Sequence, residues 1–423
     1  EVTVELLFSR MGGITLDGAR YFRESKTLSY WKVPKGKVLR YDDILKSIYA
    51  MNENDDREVK PHLKAGKEPG TTNVVLKSQE SFPLHGRFAM DNEGVQLTGE
   101  ERFNFTLRHN NLLTLDDIFL IGTGFGQQFG ALFLQHKIPL NTTGTSFRYG
   151  FSHAQVNPQK EFKDFGINGI SQSFTLSLDQ NLLRNERLRV DASLGFDFKE
   201  KVTRALSVTN AWDRLRVLHA DISLQRRDRY GIWSGNQSVH FGFSPHGDGF
   251  ALNSRGGEAQ FFKYEFGLER RQRLPLDTEF AASLSGQLSP DKLVPQEEFF
   301  LGGATSVRGY PDSDYGGDQA LLWSLEWRVP PYFIPEDYKL PRDAYALRDR
   351  IRFMAFFDQG YGRLRDPSAR EDRSRTLTGI GGGVEVRLFD HFLARCFWGA
   401  DVGAEPLTES GSSQFHFLLT AEI

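Results

Sequence analysis

From Phe82 to the C-terminus the chain alternates apolar and polar residues with a period of two, and this pattern restricts the fold more than any other feature of the sequence. Phe174, Leu176 and Leu178 alternate with Ser173, Thr175, Ser177 and Asp179; Val239, Phe241 and Phe243 alternate with Ser238, His240, Gly242 and Ser244. Phe262, Tyr264, Phe266 and Leu268 alternate with Lys263, Glu265, Gly267 and Glu269, and the last run sets Phe415, Phe417, Leu419, Ala421 and Ile423 against Gln414, His416, Leu418, Thr420 and Glu422. Successive side chains of a strand point to opposite faces, so each run has one greasy and one wet face. A soluble sandwich and a membrane barrel both accept that pattern. Ionisable groups persist on the wet faces over about 9–11 residues, the reach of a tilted membrane strand. Aromatic residues gather at expected strand ends (Trp323 and Trp327, Phe397 and Trp398, Tyr361), as interfacial girdles require. The final strand runs to the last residue, which suits a sheet closed by pairing of its last strand with its first. These features predict a mainly β protein, a transmembrane antiparallel barrel of roughly sixteen strands.

Composition supports the barrel. No run approaches the roughly 20 consecutive apolar residues of a membrane helix, and a mean hydropathy of −0.44 is what strands with alternating faces produce. The 35 Phe, 41 Gly and 13 Tyr fit aromatic girdles and tight turns. A formal charge of −3 offers no basic field for nucleic acid. The single Cys396 excludes an intrachain disulfide and any multi-cysteine metal cluster, and reads as a small apolar residue. The opening Glu1-Val2-Thr3-Val4 has no basic or leucine-rich leader, so any signal peptide is expected to have been removed.

Residues 1–81 differ from the rest. Val2 to Phe8 reads as a strand, and Asp42 to Tyr49 as a helix with Ile44, Leu45 and Ile48 at helical spacing and acids in its first turn. Two short strands follow, Arg57 to Leu63 and Thr72 to Lys77, parted by the turn formers Ala65 to Gly70. The expectation is a small α+β domain over 1–81 and a barrel over 82–423.

The most informative segment is Phe300-Leu301-Gly302-Gly303-Ala304-Thr305-Ser306-Val307-Arg308-Gly309-Tyr310, followed by Gly317-Asp318 and the strand Leu321 to Arg328. In that strand Leu321, Trp323, Leu325 and Trp327 share one face, leaving Glu326 and Arg328 on the other. In the next, Ile351, Phe353, Ala355 and Phe357 share the lipid-type face, so Phe356, Asp358 and Gly360 point inward. An unpaired carboxylate in a confined lumen is costly. Arg308, just upstream between glycines, is a fork-shaped partner for such an acid.

Val307-Arg308-Gly309-Tyr310, with the Phe-x-Asp-x-Gly pattern met by Phe356, Asp358 and Gly360, resembles the two signatures of the outer-membrane superfamily that joins POTRA domains to a barrel. Asn54-Asp55-Asp56-Arg57, Ala65-Gly66 through Pro69-Gly70-Thr71-Thr72-Asn73, and Asp91-Asn92-Glu93-Gly94 with Thr98-Gly99 resemble the second POTRA domain and first barrel hairpin of the two-partner-secretion transporters, the hemolysin secretion/activation family. The resemblance runs from about Gly36 to the C-terminus. It implies that residues 1–81 are a periplasmic POTRA domain, that the loop around 299–318 folds back into the barrel, and that Arg308 at its tip pairs with Asp358 and Glu326. Gly379, Gly381 and Gly383 then read as lumen positions left open for the loop. The implied function is secretion of an unfolded partner exoprotein, recognised by strand addition to the POTRA edge or at Asp42, Ile44, Leu45, Ile48 and Tyr49. The implied setting is a monomer in the outer membrane among lipid and lipopolysaccharide, with periplasmic chaperones nearby. Two alternatives share the loop signature: a Bam- or Tam-like insertase, and the barrel of a patatin-like fused autotransporter. A passive porin would not need the loop.

No enzyme signature completes itself. Gly122-x-Gly124-x-Gly126 lacks the third glycine of a dinucleotide fingerprint and lies in an alternating strand, and Gly381-Gly382-Gly383 runs into Val384 where a P-loop needs lysine. There is no Gly-x-Ser-x-Gly and no His-Glu-x-x-His. Asp312, Asp314 and Asp318 do not complete a calcium loop and read as solvated turn residues. The runs Arg226-Arg227-Asp228-Arg229 and Arg370-Glu371-Asp372-Arg373 read as rim residues facing lipopolysaccharide phosphates. No cofactor and no catalytic role are expected.

Overall fold

The structure, a computed structural model, describes residues 8–158, 166–243, 254–341, 343–407 and 413–423. Three strands, β1 (Arg10–Asp17), β2 (Arg57–Ala65) and β3 (Thr71–Glu80), form a sheet in the order β1-β3-β2, with β1 parallel and β2 antiparallel to β3. Helices α1 (Glu24–Ser29) and α2 (Tyr41–Met51) complete this N-terminal domain. Asp42 and Asp43 in the first turn of α2 complement its positive end. Ile44, Ile48 and Met51 recur at helical spacing and close the core with Met11, Val33, Val59, Val74 and Leu76. The strand expected over Val2–Phe8 lies outside the described residues as far as Leu7. The first described strand is β1, whose paired Gly12 and Gly13 disguise it in the sequence.

Sixteen strands form one closed barrel. They are β4 (Leu84–Asp91), β5 (Arg102–His109), β6 (Ile118–Gly126), β7 (Phe129–Pro139), β8 (Thr145–Val156), β9 (Asn168–Arg184), β10 (Leu188–Ala205), β11 (Val208–Arg227), β12 (Gly231–Phe243), β13 (Phe261–Arg273) and β14 (Glu279–Leu288), then, after a short hairpin β15 (Phe299–Leu301) and β16 (Tyr315–Gly317), β17 (Gln319–Val329), β18 (Ile351–Arg363), β19 (Ser374–Leu388), β20 (Phe392–Asp401) and β21 (Ser413–Glu422). Every strand is antiparallel to its neighbours, and β21 closes the ring on β4 through the pairs Leu418↔Asp91 to Glu422↔Arg87. That seam holds five residue pairs against nine between β20 and β21.

The burial pattern is inside out. Phe174, Leu178, Phe241, Leu268, Phe415 and Leu419 stand exposed on the outer wall, while Ser177, Lys263, His416 and Thr420 are buried within. Water would not tolerate so continuous an apolar girdle; hydrocarbon requires it, and closure leaves no unpaired edge in lipid. One expected girdle residue is placed otherwise. Phe397 neighbours the exposed Trp398, so alternation turns its ring into the lumen, where it is 5 % exposed.

The N-terminal domain docks on the turns at one end of the barrel. Arg57, buried, forks onto Asp116 in the β5–β6 turn at 2.8 and 3.0 Å and also donates to Met51 O and Thr27 Oγ1. Asp56 meets the His85 ring and the Asn110 amide, Asn111 donates to Tyr21 O, and Glu53 pairs with Arg184 at the end of β9. A cleft of about 350 Å³ lies between α2 and the 141–144 turn, lined by Tyr49, Lys46, Tyr30 and Lys137. Removing one partner of a buried ion pair strands the other, at about 3–5 kcal/mol. Asp116→Ala should therefore loosen the domain from the barrel, seen as protease cleavage near Ser81–Pro83 while the barrel itself stays resistant; an uncleaved junction would show that the other contacts suffice.

Candidate functional site

The 289–318 segment between β14 and β17 starts at the barrel end opposite the N-terminal domain and folds back inside. Its base is pinned there. Leu293 and Val294 pack with Leu215 and Val217 of the long strand β11 and with Phe261. Glu297, 1 % exposed, sits between Lys199 at 2.8 Å and Lys263 at 3.0 Å. Asp318, fully buried, accepts from the backbone N–H of Leu293 at 2.7 Å and of Arg365 at 2.6 Å and faces the Arg255 guanidinium at 3.3 Å. Three separate loops thus converge on one carboxylate. Asp314 accepts from the Leu407 N–H at 2.9 Å. Asp314 and Asp318 hold different segments, and for these two the solvated-turn reading is corrected: they are buried acceptors for backbone donors.

Beyond the hairpin of β15 and β16 the loop tip carries Arg308 to the wall formed by β17 and β18. Its Nε donates to Asp358 Oδ2 at 2.7 Å and its Nη2 to Asp358 Oδ1 at 2.8 Å, a two-pronged pairing that only a guanidinium offers. Nη1 donates to Glu326 Oε2 at 2.6 Å, Nη2 also reaches Ser324 Oγ at 3.2 Å, and the Arg308 backbone N–H donates to Asp358 Oδ2 at 3.1 Å. Glu326 is shared with Arg328 of its own strand. The guanidinium carbon lies 3.6 Å from the Phe356 ring centroid and 5.8 Å from that of Phe397, and the two rings meet edge to face. Around it Val307 and Tyr310 are fully buried with Leu301, Tyr315, Leu364 and Leu377, and the Tyr310 hydroxyl donates to Ala404 O at 2.8 Å.

The wall beneath the loop is paved with glycine. A methyl at Gly379 would collide with the Arg308 carbonyl oxygen, one at Gly360 would lie 2.8 Å from the Leu301 side chain, and one at Gly399 2.7 Å from the Gly309 nitrogen. Gly309 itself has φ +104°, a backbone few side chains adopt, while lying against Ala400. Gly381 faces the Phe356 ring and Gly383 the Phe397 side chain. The sequence reading missed Gly362, Gly399 and the inward Phe397; the repeat Gly360-x-Gly362 at period two is the signal that points to the first.

Other expected site residues fall elsewhere. Ile44 and Ile48 are closed inside the N-terminal domain core and cannot meet a passing chain, because α2 turns that stripe onto the sheet. Asp42 is exposed, and Leu45 and Tyr49 are half-buried.

A family model for the haemolysin secretion/activation proteins ShlB/FhaC/HecB matches residues 70–386. The chain belongs to this family. Its members are outer-membrane transporters of two-partner secretion. The chain is 25 % identical over 412 residues to the outer membrane transporter CdiB of Dickeya dadantii (strain 3937), covering 93 % of this chain and 69 % of that protein. It is 21 % identical over 315 residues to the heme/hemopexin transporter protein HuxB of Haemophilus influenzae (strain 86-028NP), 71 % of this chain and 55 % of the relative. The fold is that of CdiB from Escherichia coli, with a TM-score of 0.80 at 20 % identity over 99 % of this chain and 77 % of the other, and of BamA from Haemophilus ducreyi lacking POTRA domains 1-3, with a TM-score of 0.69 at 11 % identity over 98 % and 85 %. As in that family, the end bearing the N-terminal domain is periplasmic. One expectation is then corrected. The Arg226–Arg229 run lies at the β11–β12 turn on the periplasmic side, with Asp228 bound to Arg270 at 2.6 Å, away from the leaflet that holds lipopolysaccharide.

Two predictions follow from this geometry. Arg308→Ala leaves Asp358 buried without its cation and should cost about 3–5 kcal/mol, read as a lower unfolding temperature and larger single-channel conductance. Arg308→Lys should recover only part, since an ammonium cannot bridge both acids. Burial first, then the neighbouring Glu93 carboxylate, push the loop residue Asp312 up to about 7. A carboxyl raised in the seated state favours seating when protonated, so that contribution is full below about 4, the ordinary value, and lost as pH rises to about 7. Channel openings should thus be rarer at pH 5 than at pH 8, and Asp312→Asn should flatten the difference; an unaltered pH profile in the variant would refute it.

Proposed function

We propose that the chain secretes an unfolded partner polypeptide through the outer membrane, with residues 1–81 acting as a POTRA domain that receives it and residues 82–423 as the conduit. The observation that carries this is the arginine of a thirty-residue segment placed between two luminal carboxylates. A passive pore has no use for so elaborate an internal contact. On this reading Val307, Arg308, Gly309 and Tyr310 are the bolt, and Glu326, Phe356, Asp358 and Gly360 the socket. Reception is assigned to the outer edge of β2 beyond Val59, whose N–H and C=O are taken by the Asn52 side chain, and to Tyr49, which lines the periplasmic cleft, with Leu45 and Asp42 on the same helix. Pro61 within β2 fits an edge position, since it has no N–H to give a neighbour. No nucleotide-binding motif completes itself in the sequence, and drive is assigned to folding of the exported chain outside. The HuxB and CdiB relatives are named as transporters, and the cargo here is proposed to be a secreted protein.

A second reading, an insertase of other barrels, is favoured by one feature, the five-pair seam of β21 on β4. One experiment separates the two. Ala89 and Thr420 are direct partners across the seam, close enough for a disulfide. In a Cys396→Ala background, an Ala89→Cys/Thr420→Cys crosslink should leave secretion of the exoprotein intact under oxidising conditions, whereas Arg308→Ala should reduce it. Loss of activity on closing the seam would replace secretion with insertion.

A further inference from the structure

The β17–β18 connection, residues 330–350, is an oversized turn on the periplasmic rim. It contains α3 (Leu347–Arg350) and leaves Phe333 78 % exposed. Phe333 does not point toward the lumen. Its ring packs on Phe353 at 6.2 Å, and Phe353 belongs to the outward face of β18. Tyr332, beside it, donates its hydroxyl to Leu276 O at 2.7 Å in the β13–β14 turn. Leu276 is 76 % exposed and has φ +61°, a conformation that turns normally give to Asn or Gly. A leucine held there and left this exposed among the described residues calls for some other apolar cover. Arg348, 4.9 Å over the Tyr332 ring and paired with Glu336, places a guanidinium at the same level.

We propose that this turn is a membrane foot: Phe333, Tyr332 and Leu276 lie in the phospholipid leaflet on the periplasmic side, with Arg348 at its headgroups. The inference rests on the outer-membrane barrel reading. Phospholipid is the occupant because the patch continues the lipid-facing wall: Phe333 packs on Phe353, which is paired with Val329, two residues along β17 from the exposed Trp327. A chain threading the lumen would not reach that outer face. The ion pairs docking the N-terminal domain lie at the β5–β6 and β9–β10 turns, elsewhere on the ring. Rings with a polar tip and a cation are suited to the boundary between headgroup and acyl chain. The turn joins the two strands that bear Glu326 and Asp358, so the foot would hold that hairpin against pull on the loop.

The test uses the full chain in phospholipid vesicles, in a Cys396→Ala background, with nitroxide spin labels at Phe333→Cys and, separately, Leu276→Cys. Phe353→Cys and Glu68→Cys, in an exposed turn of the N-terminal domain, serve as references. The ratio of collision with oxygen to collision with a water-soluble nickel chelate should be close to the Phe353 value at both test sites and several-fold above the Glu68 value. A ratio like that of Glu68 at positions 333 and 276, with Phe353 still lipid-exposed, overturns the foot alone. Water access at Phe353 as well overturns the barrel reading with it. Shielding at 333 that arises only on adding a soluble exoprotein segment would assign the patch to cargo and also overturn the proposal.

Discussion

Hydrocarbon offers no partner to a peptide N–H or C=O, and that constraint shapes everything else in this molecule. It forces the sheet to close, and closure turns the usual order of residues around: phenylalanine outward, serine, lysine and histidine inward. Once the interior is polar and confined, a carboxylate such as Asp358 needs a cation close by. A cation brought by a loop rather than by the wall makes a contact that can be made and broken.

The loop is held at two places of different character. At the extracellular mouth, Asp318 gathers backbone donors from Leu293 and Arg365, and Glu297 sits between two lysines. In the lumen, Arg308 stands against Asp358 and Glu326 with Phe356 beneath it. The first set ties the base to neighbouring loops through Asp318 and to β10 and β13 through Glu297. The second has the Arg308 guanidinium as its one ion-pairing group, with the Tyr310 hydroxyl on Ala404 O and the buried Val307 beside it. Mechanical release of the tip while the base remains fixed is the motion this division permits.

Much of the barrel was legible because period two survives in almost every strand, and register follows from it: with Leu321, Trp323 and Trp327 outward, Glu326 has to face in. Two positions depart from what residue type suggests. Phe397 has the character of a girdle residue, whereas its place beside Trp398 on the strand decides its face. The apolar stripe of Ile44 and Ile48 suits a partner, but a domain this small spends such a stripe on its own core. The contacts among loops, such as Arg255 and Arg365 on Asp318, join positions far apart in the chain, and no local pattern announces them. The pairing of Arg308 with its acids was expected from family resemblance joined to the inward face of Asp358; spacing alone does not bring a loop back inside.

The glycine floor under the loop has a consequence of its own. Contact between Arg308 and Asp358 depends on clearance as much as on charge, since the loop backbone rests directly on Gly379 and Gly399. One added carbon at either place would lift the guanidinium off its acids with every ionisable group still present. Such a variant would look electrostatically intact and be mechanically unlatched, so a survey that scores charged positions alone would overlook half of what keeps this plug in place.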